Sequence, residues 1–166
     1  ETSLIKGAQE SLVEVERAYL DHGFEGVMLR SPTGPYKFGR ATAKEGYLSK
    51  LKKFTDAEAR VLEVVEKYEN TNAAFKDELG RTTRSTHQAG MVPKGTAGAL
   101  RVVGINGRFK DVEFNMPVGT DANAAAIWAA RGTTVGRLVT YKFFDIGSVD
   151  APRFPGWKGF RAEEDI

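Results

Sequence analysis

Leu100-Arg101-Val102-Val103-Gly104-Ile105-Asn106-Gly107-Arg108-Phe109-Lys110-Asp111-Val112-Glu113-Phe114 decides the fold of the second half of the chain. Two strand-like runs, Leu100 to Gly104 and Phe109 to Phe114, flank Asn106-Gly107. Both turn residues accept positive φ, so a hairpin is expected. Toward the C-terminus, Asp121 to Ala130 is alanine-rich, with Thr120 or Asp121 placed to cap a short helix. Val135 to Phe144 reads as a further strand, and Arg153 to Arg161 closes the chain. Toward the N-terminus, Asp56 to Tyr68 fits strand or helix by periodicity, and its β-branched content favours strand. Asn70 to Gly98 is polar and rich in Gly, Thr and Arg, and reads as a long connection or flexible hairpin. Strands in this order, with one short helix between the later ones, suit a small Greek-key barrel of the OB type.

The first third has a different character. Leu4, Ile5, Leu12, Val13, Val15, Ala18, Tyr19 and Leu20 recur near a helical period and stop at Gly23, which predicts an amphipathic helix over 6–21. Phe24 to Arg30 reads as a buried strand. Ser31-Pro32-Thr33-Gly34-Pro35 begins a loop, and Tyr47 to Phe54 reads as a second strand. The chain opens Glu1-Thr2-Ser3 without an initiator methionine, which suggests a piece of a longer protein.

The bulk properties are permissive. With 166 residues and a 41% hydrophobic fraction, the chain can build one ordinary domain or one small domain with part of another. No apolar run is long enough to span a bilayer and no leader pattern opens the chain, so a cytoplasmic setting without membrane contact is expected. Cysteine is absent, which excludes disulfides and thiolate metal sites. A net charge of +2 says little. Its distribution says more: Lys37, Arg40, Lys44, Lys50, Lys52 and Lys53 crowd one stretch, as they do where phosphate binds.

Three segments carry candidate chemistry. In Glu25-Gly26-Val27-Met28-Leu29-Arg30, strand alternation puts Gly26, Met28 and Arg30 on one face. Glu25 could hold a divalent cation or a ribose hydroxyl, and Gly26 would admit a flat ligand or another backbone. The plain alternative is a buried strand with an exposed first residue. In Ser49-Lys50-Leu51-Lys52-Lys53, Lys50 and Lys52 share a face, and two cations side by side make sense around an anion, a phosphate above all. An edge strand protected by lysine is the alternative. In Pro152-Arg153-Phe154-Pro155-Gly156-Trp157-Lys158-Gly159-Phe160-Arg161, cations suited to phosphate bracket a stiff aromatic segment, or else decorate a plain terminal strand.

Taken in order and spacing, the three segments resemble the fourth, fifth and sixth motifs of the ATP-dependent DNA ligases, particularly the short bacterial and viral enzymes. The resemblance covers nearly the whole chain. It implies an α+β chain: a partial nucleotidyltransferase sheet of the ATP-grasp-like ligase type over 1–54, then an OB-fold barrel over 55–166 that binds DNA. Glu25 would contact the metal (Mg2+ or Mn2+) or the ribose, and Met28 or Val27 would lie against adenine, with Gly26 and Arg30 in the same nucleotide site. Lys50 and Lys52 would hold the α-phosphate of ATP or AMP. Arg153, Lys158 and Arg161 would face the outgoing pyrophosphate, Asp56 would serve as the hinge, and Arg81, Thr82, Arg84, Lys94 and Arg101 would contact the DNA backbone. The partner implied is nicked duplex DNA, bound by a complete enzyme that works as a monomer.

One departure bears on activity. The family's nucleophile motif, Lys-x-Asp-Gly, has no match, since Lys76-Asp77-Glu78 lacks its spacing and glycine, and the third motif is not evident. The attacking lysine is therefore expected upstream or on a companion chain, and this chain alone should be inactive. Two rivals share parts of the pattern: an RNA ligase or capping nucleotidyltransferase, and a non-catalytic OB module for single-stranded nucleic acid. His22 is expected at a helix end as a favourable cation, His87 on the surface, and Trp128 as a core anchor.

Overall fold

The computed structural model describes residues 8–165 and divides into two compact units, Glu1–Phe54 and Thr55–Ile166. In the first unit, helix α1 spans Ala8–Asp21. The expected start at residue 6, with Leu4 and Ile5, lies outside the described residues. The helix stops as its sequence foretells. Gly23 takes φ 83°, its N–H donates to the Leu20 carbonyl (2.9 Å), and the Phe24 N–H reaches back to Tyr19 (3.0 Å). This left-handed closure satisfies carbonyls the helix leaves open. The Tyr19 and Phe24 rings meet edge-on across it at 5.5 Å. His22 Nδ1 lies 2.7 Å from the Ala18 carbonyl oxygen, at the helix end where it was expected.

Strands β1 (Val27–Arg30) and β2 (Leu48–Leu51) form a two-stranded antiparallel ladder. Both are shorter than expected, and β1 is half-exposed where burial was expected, with Met28 57% exposed. The reason is topological: each strand has one neighbour, and no further strand joins them among the described residues.

The second unit is a five-stranded antiparallel sheet in the order β7-β6-β3-β8-β9, built from β3 (Thr55–Asn70), β6 (Met91–Gly104), β7 (Glu113–Pro117), β8 (Leu138–Phe144) and β9 (Arg153–Arg161). Helices α2 (Asp121–Ala129) and α3 (Arg131–Thr134) lie between β7 and β8. The long β3 pairs with β8 over Thr55 to Arg60 and with β6 over Ala59 to Asn70, and register shifts at Val61/Glu63, Val65/Glu66 and Glu66/Tyr68 bend it. This is the OB order of strands. The barrel is not closed by hydrogen bonds among the described residues, because β7 and β9 remain the edges of the ladder.

Three expectations need correction. Met91 to Gly98 belongs to β6, not to a loop; its Pro, Lys, Ala and two Gly have low strand preference, but pairing with β3 overrides it. What remains of that connection carries a small hairpin, β4 (Ala74–Lys76) with β5 (Thr82–Arg84). Asn106-Gly107 is not a two-residue turn: Gly107 has φ 67° but Asn106 is extended at −144°, and a short 3-10 turn over Gly107–Phe109 follows. Strand β7 therefore starts later than foreseen, at Glu113. Likewise β8 starts at Leu138, because α3 and Gly136 (φ 84°) occupy the preceding residues.

Thr120 caps α2, its hydroxyl accepting the Asn123 N–H at 3.3 Å. The core joins Ala59, Val61, Leu100, Val102, Met116, Ile127, Val139 and Tyr141, with Trp128 packed against its edge as anticipated. Among the described residues the buried Tyr141 hydroxyl has no hydrogen-bond partner, and burial pushes its pKa up to about 12. Tyr141→Phe is expected to leave stability unchanged or raise it by about 1 kcal/mol, because it removes an unmatched polar atom and keeps the ring. The folded-state pKa is raised, so this tyrosine's contribution is complete below the ordinary value of about 10 and is lost as pH rises to about 12. Alkaline unfolding curves of the two proteins should diverge in that window; coincident curves would count against the burial argument.

Candidate functional site

The β1–β2 register sets the geometry of the first unit. Met28 pairs with Lys50 and Arg30 with Leu48, so these side chains share one face of the ladder, while Val27 and Leu51 share the other. Gly26 precedes β1 with φ 148°, and a Cβ there would collide with the Leu51 carbonyl oxygen and come within 3.2 Å of Lys52 Cα. Glycine is therefore required for the two backbones to approach. Lys50 is exposed at the centre of β2. Lys52 lies one residue past the strand, so the shared face expected of the two lysines is not set by strand alternation alone. Its ammonium donates to the Glu25 carboxylate, and both side chains are partly buried. Glu25 thus enters an ion pair rather than standing alone at a strand start.

The loop between these strands is organised by Glu45. Its Oε1 accepts from Lys37 Nζ (2.6 Å), and its Oε2 accepts from the Thr42 N–H (2.9 Å) and hydroxyl (3.0 Å). Lys37 and the Thr42 bonds hold the Glu45 carboxyl down to about 2. A depressed carboxylate pKa stabilises above its ordinary value and loses that contribution as pH falls through about 2. The Arg30 guanidinium lies over the Tyr36 ring at 5.6 Å, beside a cavity lined by Tyr47, Gly39 and Ala41.

In the second unit the basic residues of β9 meet acids of β3 across the intervening β8. Lys158 Nζ donates to Asp56 Oδ2 at 2.5 Å, and Arg161 donates to the buried Glu58 carboxylate. A shallow groove lined by Thr140, Gly159 and Phe160 separates the pairs. Arg60 continues the row with Glu163 at 2.6 Å. Asp56, the candidate hinge, is the second residue of β3 and pairs in register with Lys142. Arg153 begins β9, its backbone N–H donating to Ser148 Oγ at 2.8 Å. The next residue, Phe154, is 71% exposed at φ 50°, a conformation costly for a bulky side chain. Nothing in the sequence pattern foretold that strain, nor the roles of Glu58 and Asn106.

The candidate DNA contacts are all exposed, but they are spread over several elements. Thr82 and Arg84 sit on β5, where Thr82 accepts from Lys76 Nζ (2.7 Å) and Arg84 donates to the Asn72 carbonyl. Arg81 adjoins them in the hairpin turn. Lys94 and Arg101 lie on β6, Arg101 paired with Glu63 at 3.3 Å. His87 is exposed, as expected. No cluster of three or more metal-ligating side chains occurs among the described residues, and no described helix is long and apolar enough to cross a membrane.

An OB-ordered sheet with its helical segment between β7 and β8, preceded by a lysine-bearing ladder, defines the class: the chain is similar to the ATP-dependent DNA ligases. Solved structures make the likeness particular. A Lig E DNA ligase, described as DNA binding with a minimal scaffold, matches 96% of this chain and 48% of its own at 26% identity and a TM-score of 0.58. The structure designated Pmar-Lig_Pre. matches 95% of this chain and 31% of its own at 24% identity and a TM-score of 0.63. A Chlorella virus DNA ligase–adenylate matches 94% and 48% at 36% identity with a TM-score of 0.46. The chain therefore spans about half, or less, of the length of the structures it matches. No family model and no curated protein matches it. A free-standing single-strand-binding OB module is not favoured, because the Lig E match includes nearly all of the first fifty residues as well as the sheet.

Proposed function

We propose that this chain is the C-terminal part of an ATP-dependent DNA ligase that seals nicks in duplex DNA by adenylyl transfer. Residues 1–54 end its adenylation domain and 55–166 form its OB domain. The observation that carries the reading is the β1–β2 register, which places Lys50 beside Met28 while Gly26 lets the backbone of Lys52 approach. Lys50 and Lys52 hold the nucleotide α-phosphate, and Met28 or Val27 packs on the adenine, with Gly26 and Arg30 beside it. Charge builds on phosphate oxygens during transfer, so fixed cations aimed at them lower the barrier. Glu25 is the metal or ribose contact. Glu25 would be the carboxylate that holds a Mg2+ or Mn2+ ion, which would supply charge stabilisation to the substrate phosphates. Arg153, Lys158 and Arg161 face the outgoing pyrophosphate, and Asp56 is the hinge.

The attacking lysine comes from an upstream segment with Lys-x-Asp-Gly. Incubated with labelled ATP and magnesium, this chain alone should yield no covalent adenylate, whereas the complete protein should yield one and then join nicked DNA. A labelled band on the isolated chain would overturn the division of labour. Arg81, Thr82, Arg84, Lys94 and Arg101 contact the DNA backbone. Removing Arg84 or Lys94 should weaken binding to all duplex sequences alike and lower the salt dependence by about one counterion each; an unchanged slope would remove them from the interface. ATP against GTP, and nicked DNA against RNA ends, separates this reading from a capping enzyme or RNA ligase.

A further inference from the structure

Glu58 is buried, 7% exposed as a residue, and its surroundings are built rather than incidental. Its backbone N–H donates to Asn106 Oδ1 at 2.8 Å, and its carbonyl accepts the Ile105 N–H at 2.9 Å. The other end of the same amide, Asn106 Nδ2, donates to Glu58 Oε2 at 2.9 Å. Acceptor and donor ends thus each meet their complement, so the amide has one orientation. Asn106 precedes the Gly107–Phe109 turn without capping it through its side chain. With Oε2 held by Asn106, Oε1 is presented to β9, where it receives Nη1 of Arg161.

Arg161 is 43% exposed in its side chain, against 9% for Glu58, so a solvent-facing cation is anchored to a buried, oriented anion. A planar guanidinium fixed at one nitrogen keeps other donors of its five for a ligand, with its plane defined. We propose that Asn106 is a positioning residue: by clamping Glu58 it aims Arg161 at the departing pyrophosphate. This rests on the ligase reading, in which Arg161 serves the ATP step and not the later joining step. Asn106 touches no substrate and acts through Glu58.

The experiment uses the complete protein. Asn106→Ala should lower kcat for enzyme adenylylation about tenfold or more, the scale of losing a partner that orients a ligand-contacting residue, with KM for ATP nearly unchanged. Sealing of a pre-adenylated nick should be unaffected. Glu58→Gln, which keeps side-chain volume but faces Arg161 with an amide, should show the same split. In an Arg161→Ala background Asn106→Ala should cause no further loss, since both act along one path. Equal losses in both steps, or losses that multiply in the double variant, would overturn the inference while leaving the ligase reading standing. A complete protein that takes no AMP from ATP would overturn the ligase reading, and this inference with it.

Discussion

Lys50→Ala in the complete enzyme should slow adenylyl transfer by about 10²–10³-fold, the scale of removing one preorganised donor from a site where charge develops. Melting temperature should hardly move, because Lys50 is exposed. That combination separates a chemical role from a structural one. Lys52→Ala should cost a similar factor in rate, but with a second consequence. Its ammonium donates to the Glu25 carboxylate, so the variant removes that ion pair together with a phosphate contact. Arginine should not rescue either position fully, because a broad planar fork replaces a compact point charge. Nick joining at the wild-type rate in both alanine variants would remove the lysines from the mechanism.

Gly26→Ala should be nearly as damaging, for a mechanical reason. The added Cβ meets the Leu51 carbonyl oxygen, a backbone atom that cannot swing aside, and φ 148° lies where only glycine is comfortable. Backbone strain of this kind costs about 1–3 kcal/mol, and the clash adds to it. The ladder must spread at the residues that carry Lys50 and Lys52. A displacement of about 1 Å at a reacting group can cost about 10²-fold in rate, so adenylylation should fall by that order while DNA binding by the second unit persists. Gly46→Ala is the control: its φ of 67° brings some strain, but a Cβ there meets nothing within 4 Å. Should Gly46→Ala lose as much activity as Gly26→Ala, close approach of the two strands is not what Gly26 provides.

Much of this protein is legible in one dimension, because its determinants are local. Gly23 ends α1, Thr120 starts α2, and the arginine-bracketed segment Arg153–Arg161 coincides with β9. The three basic and acidic segments carry the ligase likeness in their order alone. Contacts between residues far apart in the chain were not legible. Met91 to Gly98 has the composition of a loop and becomes strand only because β3 offers it a ladder. Asn106 reads as half of a turn and serves instead as a clamp on Glu58, 48 residues away. Lys158 and Arg161 read as free phosphate ligands, yet they rest against Asp56 and Glu58, because the order β3-β8-β9 brings their ends within reach across one strand. Caps and alternation are written in neighbouring residues. Strand order is a property of the whole sheet, so only the folded chain fixes which charge answers which.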